Sequence, residues 1–283
     1  MLPPPEFMPA LITPFTKSGE IDTKAHTSNL KVLADQGIKG FVIGGSNGEG
    51  PYLEPGERLH LVKTGRRRKT HFMVGIAAET TRVALAQVQE AVDAGADSVL
   101  VMTPTTLTRG RDAAVLFYYR GIADASPLPV FLYSVPNVTA VNLPITLVEK
   151  LSRHKNIVGM KDSSGDVVRL QSIIDATPAE FILYSGSSKA LTAAIAIGCH
   201  GAITGSGNYL PKLVLETLAT AKESPARART LQKRLSAISG KVEAHGVPGV
   251  KAAAKAAGLT PGHPREPLTR LTKTASSDIA KLI

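Results

Sequence analysis

Eight short apolar runs recur along the chain, at Phe7 to Ile12, Gly40 to Ile43, Phe72 to Ala77, Ser98 to Met102, Val130 to Tyr133, Ile157 to Met160, Phe181 to Tyr184 and Ala202 to Thr204. Each is continuously apolar instead of alternating, so each must be covered on both faces, as a parallel strand in an α/β fold is. The segments between them carry a helical period. In Arg82 to Asp93, Leu85, Val88, Ala91 and Val92 share one face, while Arg82, Gln87, Gln89, Glu90 and Asp93 take the other. Gly37, Gly95 and Gly198 each close such a segment just ahead of a strand, as left-handed C-caps do. Unbroken alternation from residue 7 to about residue 222 implies an α/β chain folded as a (β/α)8 TIM barrel in preference to two domains, with a doubly wound sheet as the alternative.

The barrel is expected to take residues 1–222. After the eighth run, Pro211 to Lys222, Ala226 to Ser239, Val250 to Ala257 and Leu268 to Leu282 read as helices. Gly246-Val247-Pro248-Gly249 and Pro261-Gly262-His263-Pro264 read as loops. Residues 223–283 are thus expected to form a C-terminal helical region packed on the barrel.

With 43% hydrophobic and 20% charged residues among 283, a disordered or fibrous chain is excluded. No run reaches the 18 or so apolar residues that cross a bilayer, and Met1-Leu2-Pro3-Pro4-Pro5 lacks the basic and apolar regions of a secretion signal. A soluble, unprocessed, cytoplasmic protein without a membrane partner is expected. The single cysteine, Cys199, leaves no internal disulfide and no multi-cysteine zinc site.

The formal charge of +10 suits an anionic partner, and its distribution indicates which kind. The one basic run, Arg66-Arg67-Arg68-Lys69, ends a predicted helix, where cations complement the macrodipole and are expected to be solvated. Aromatic residues make up 5% of the chain, with no Trp, so neither a basic stripe nor a stacking platform for nucleic acid is present. Neither phosphate-binding glycine spacing occurs. The surplus charge is expected to attract small acids.

In a barrel of this kind, chemistry sits at the carboxyl ends of the strands. Three segments qualify: Gly44-Gly45-Ser46-Asn47-Gly48-Glu49-Gly50, Tyr133-Ser134-Val135-Pro136 and Lys161-Asp162-Ser163-Ser164-Gly165-Asp166. Lys161 follows a buried run directly, so its amine is expected in the barrel mouth with little water, where it is available to attack a carbonyl. Tyr133 ends the neighbouring strand, and a phenol is a competent proton shuttle beside an iminium. Each has a bland reading too, as the first residue of a surface turn and as a cap on the core. The loop at Ser46 supports two uses. It fits the G-x-S-x-G elbow of serine hydrolases, although the late histidines His245 and His263 fall in Gly/Pro segments without an evident partner. Its successive amides, with Ser46 and Asn47, equally suit a carboxylate.

With these motifs in view, the chain resembles the pyruvate-dependent class I aldolases that include N-acetylneuraminate lyase and dihydrodipicolinate synthase. The resemblance runs from Ala10-Leu11-Ile12-Thr13-Pro14-Phe15, through Gly45-Ser46-Asn47-Gly48-Glu49, Leu132-Tyr133-Ser134-Val135-Pro136 and Gly159-Met160-Lys161-Asp162, to Arg265-Glu266-Pro267-Leu268. The motifs look most like the branch acting on 4-hydroxy-2-oxoglutarate. The resemblance implies that Lys161 forms a Schiff base with the keto acid and that Tyr133 moves protons. It also implies that Ser46 and Asn47 hold the carboxylate and that Gly48, Ser163, Gly186 and Ile203 complete the substrate pocket. No metal or organic cofactor is implied. The expected partners are a small 2-keto acid and further copies of the chain, as a tetramer or dimer. Two positions depart from the family pattern. Val138 replaces an arginine usual in the synthases, and Thr105-Thr106 stands where many members carry a tyrosine that relays protons across a subunit contact.

Overall fold

The computed structural model describes residues 2–67 and 69–283; Met1 and, within the basic run, Arg68 lie outside the described residues. The eight strands are β1 (Phe7–Pro9), β2 (Gly40–Ile43), β3 (His71–Ile76), β4 (Ser98–Met102), β5 (Val130–Ser134), β6 (Ile157–Asp162), β7 (Ile182–Ser185) and β8 (Gly201–Thr204). They form one parallel sheet in the order β1-β8-β7-β6-β5-β4-β3-β2. A single parallel bridge, Ala10 to Val42, with Leu11 N–H donating to Val42 O at 3.0 Å, joins its two edges. The expected (β/α)8 TIM barrel is therefore the observed architecture.

A helix follows each strand: Thr23–Asp35, Glu57–Gly65, Thr81–Asp93, Asp112–Ala125, Ile145–Ser152, Val167–Ala176, Leu191–Ala196 and Pro211–Glu223. Asp22, Thr80 and Asp166 cap three of them by accepting from first-turn amides. Gly37, Gly95 and Gly198 have φ of +93°, +78° and +103°, the left-handed caps expected of them. Two cores result. Met8, Val42, Met73, Leu100, Phe131 and Ile203 fill the barrel interior with Tyr133 and Tyr184, and a larger apolar shell lies between strands and helices. The filled interior confines ligand access to the mouth.

Four sequence expectations need correction. Gln87 and Glu90 are half-buried instead of solvent-facing, and the Gln87 amide bonds Ala77 N and O at 2.9 and 3.2 Å where the chain leaves β3. Arg66 is not a free helix-end cation. It pairs with buried Asp97 at 2.7 Å and lies 5.3 Å from the Phe72 ring centroid, because a carboxylate in that position requires a counter-charge. Gly246-Val247-Pro248-Gly249 is the first turn of a helix, Gly246–Ala256, where a proline's missing N–H has no intrahelical acceptor to lose. Of Leu268 to Leu282, only Lys273–Ala280 is helical, starting where Thr272 caps Ala275 N. Helix Pro225–Glu243 packs against Pro211–Glu223 and Leu191–Ala196, so the chain after β8 returns to the barrel.

Candidate active site

Register places the chemistry. Lys161 on β6 lies opposite Tyr133 on β5 and Tyr184 on β7. Strand alternation sends the Lys161 side chain inward, while its neighbour Met160 joins the outer core. Lys161 and Tyr133 are each 3% exposed. The Lys161 ammonium nitrogen donates to the Tyr133 hydroxyl at 3.4 Å and lies 4.5 Å from that ring's centroid. The same hydroxyl is 3.1 Å from Ser46 Oγ. Residues 46, 133 and 161 thus form one string from the loop after β2 to the ends of β5 and β6.

The Ser46 loop is built from beneath. Glu49 takes a left-handed conformation at φ 57°, and its N–H donates to Ser46 O at 3.1 Å. Thr13 Oγ1 donates to Gly48 O at 2.7 Å, so the Gly48 carbonyl is engaged below the loop. Buried Arg58 donates to the carbonyls of Gly50, Leu53 and Gly75, and burial pushes its guanidinium down to about 10. The Lys251 ammonium meets Glu49 Oε1 at 2.5 Å, while Arg265 N–H donates to Glu49 Oε2 at 2.7 Å. Neither Arg58 nor Lys251 was singled out from sequence, since a cation within an amphipathic helix gives no local sign of such partners.

The remaining predicted residues surround the string. A Cβ on Gly186 would stand 2.0 Å from Ser163 Oγ and 2.9 Å from Lys161 Cε, so only glycine leaves room for both. A Cβ on Gly205 would meet the Asn47 amide at 2.8 Å, which places Asn47 over the end of β8. Ile203 lies inside the barrel among Tyr133 and Tyr184. Ser163 N–H donates to Ser134 O at 2.9 Å, tying the β6 exit to β5. Asp162, the residue after Lys161 in the same motif, takes Arg169 Nε at 2.9 Å and the Ser164 amide at 2.9 Å, which fixes the strand end carrying Lys161. At the β7 and β8 exits, Ser188 Oγ donates to Glu243 at 2.7 Å and connects through Ser206 to Thr204. Burial holds the Glu243 carboxyl above the usual range.

A buried amine, a phenol and a hydroxyl in series suit carbonyl chemistry. Among the described residues, no histidine is a hydrogen-bond partner of Ser46 and no three His, Cys, Asp or Glu side chains are grouped to hold a metal ion. The G-x-S-x-G reading therefore lacks its base. Backbone N–H groups of Thr105 and Thr106 donate to the Glu79 carboxylate, and Val138 is 57% exposed at the rim.

The sequence model of the dihydrodipicolinate synthetase family matches residues 4–283. A 4-hydroxy-tetrahydrodipicolinate synthase of Methanosarcina mazei is 31% identical over 278 residues, covering 96% of this chain and 95% of that protein. Dihydrodipicolinate synthase DapA-2 of Bacillus anthracis superposes with a TM-score of 0.93 at 26% identity, covering 100% of this chain and 98% of the other. YagE of E. coli K12, a prophage protein of the dihydrodipicolinic acid synthase family solved with pyruvate, gives a TM-score of 0.92 at 26% identity, covering 98% and 97% of the two chains. A family match across nearly the whole length, on a barrel whose mouth joins residues 46, 133 and 161, has one consequence: this chain belongs to the dihydrodipicolinate synthetase family and is a lyase.

Proposed function

We propose that the chain is a Schiff-base aldolase that cleaves a 4-hydroxy-2-keto acid, 4-hydroxy-2-oxoglutarate or a 2-keto-3-deoxy sugar acid, to pyruvate and an aldehyde. The observation that carries this reading is the Lys161, Tyr133 and Ser46 string at the barrel mouth. The Lys161 amine adds to the ketone and water leaves, giving an iminium. Ser46 and Asn47 hold the neighbouring carboxylate, with Gly48, Ser163, Gly186 and Ile203 shaping the pocket. Tyr133 takes the proton of the C4 hydroxyl as the C3–C4 bond breaks; the bonding pair moves into the iminium as an enamine, and the aldehyde departs. Protonation at C3 and hydrolysis then release pyruvate and the amine. The iminium is the electron sink, so the reaction needs neither a metal nor an organic cofactor.

A second reading takes the same iminium to dihydrodipicolinate synthesis, which the Methanosarcina relative's name supports, or to keto-deoxy-acid dehydration. Against synthesis stands Val138, exposed and without charge for an acidic second substrate. A cytoplasmic homo-oligomer, tetramer or dimer, is the accompanying expectation. Leu107 at 83% and Phe117 at 77% exposure offer apolar surface for a second copy.

Pyruvate with borohydride tests the mechanism: mass spectrometry should find one adduct, on Lys161, and an adduct elsewhere or none would reject it. A panel of keto acids assayed for released pyruvate then separates the aldolase from the synthase and from a protein that binds without turnover. A fluorophosphonate should leave Ser46 unlabelled.

A further inference from the structure

Between helix Gly246–Ala256 and the C-terminal helix Lys273–Ala280 lies a cavity of about 810 Å³. Lys251, Lys255, Arg270 and Lys273 line it with the hydroxyl-bearing Ser276 and Ser277, and no aspartate or glutamate is among its lining residues. Lys255, Arg270 and Lys273 are exposed, and among the described residues they enter no ion pair. His263, beside the cavity, is held below its ordinary range by desolvation and then by the positive charges of Arg270, Lys251 and Lys17. Several uncompensated cations in one concavity, one of them a planar guanidinium, select a small ligand carrying more than one negative charge.

The cavity has a physical connection to the barrel mouth. Lys251, part of its wall and 3% exposed, turns its ammonium to Glu49 and to the His263 carbonyl. Glu49 in turn braces Ser46 through the backbone. An anion in the cavity would draw on the charge that now holds Glu49.

We propose that this cavity is a regulatory site for a compact multivalent anion, a polycarboxylate or a phosphate compound, and that filling it loosens the Ser46 loop's hold on the keto acid. The second half rests on the function proposed above, so binding is measured without turnover. Calorimetry on the full chain with citrate, tripolyphosphate and inorganic phosphate should detect at least one of them with a Kd below about 1 mM. The three arms distinguish a polycarboxylate from a phosphate ligand. Arg270→Gln with Lys273→Gln should weaken that binding roughly tenfold or more, while basal lyase activity is retained. The anion should raise the pyruvate concentration that half-saturates borohydride trapping by roughly fivefold. Absence of binding, binding that survives the double substitution, or an equal effect of sodium chloride at matched ionic strength would overturn the site. Binding that leaves pyruvate saturation unchanged would overturn its regulatory role.

Discussion

Lys161 and Lys251 are both 3% exposed, and both lie near an aromatic ring, at 4.5 Å from the Tyr133 centroid and 5.0 Å from that of Phe15. Their partners differ. Lys251 faces the Glu49 carboxylate and the His263 carbonyl, and burial pushes its ammonium down to about 8 against the opposing pull of Glu49. Lys161 enters no ion pair among the described residues and has a phenol as its polar neighbour. Burial alone therefore does not mark a lysine for chemistry. The partner set does: a carboxylate and a carbonyl occupy the amine of Lys251, whereas the amine of Lys161 meets the Tyr133 hydroxyl at 3.4 Å, beside Gly186.

The largest expected effect comes from substituting the lysine without a carboxylate. Lys161→Arg retains a cation but should end pyruvate trapping and reduce lyase turnover by at least about a thousandfold, measured by intact mass and a pyruvate-release assay. Lys251→Met should instead cost about 3–5 kcal/mol of stability by leaving the buried Glu49 carboxylate without its counter-charge, as read from urea unfolding. Adding Glu49→Gln should restore most of that loss, and trapping on Lys161 should persist at saturating pyruvate; loss of trapping in the double variant would break the contrast between the two lysines. Tyr133→Phe should keep the adduct while lowering cleavage roughly a hundredfold, with stopped-flow separating imine formation from bond cleavage. The smallest effect is on pH dependence. The folded Lys251 value lies below the ordinary value of about 10.4, so between about 8 and that value the unfolded chain binds more protons and stability rises with pH. Urea midpoints across this window should slope upward in the wild type and flatten in Lys251→Met.

Much of this was legible because parallel strands are written as continuous apolar runs. All eight strands fall on the runs read from sequence, and Tyr133 and Lys161 could be found because strand ends are where a barrel exposes side chains. Features set by distant partners were not legible. Arg66 reads as a helix-end cation until Asp97 lies against it, and Gln87 reads as surface until the Ala77 backbone requires an amide. The Glu49 to Lys251 pair joins a glycine-rich loop to a helix near the other end of the chain, and neither segment carries a local sign of it. Pro248 misled for a different reason: proline ends a helix from within but begins one readily, and composition does not distinguish the two uses.

The seam of the barrel has a kinetic consequence. β1 is held by β8, through Phe7 to Ala202, Met8 to Ile203 and Pro9 to Thr204, whereas among the described residues its ladder to β2 is the bridge from Ala10, just past the strand, to Val42. During synthesis the first strand emerges long before its main partner, a wait on the order of ten seconds or more at ordinary elongation rates. Until then its edge is unpaired and open to other chains. The Asn47 side chain rests on Gly205, just past β8, so the loop that carries it gains its full support only at closure. A nascent or truncated chain ending before Gly201 should therefore be both inactive and prone to association, and chaperone demand should fall sharply once the last strand is made.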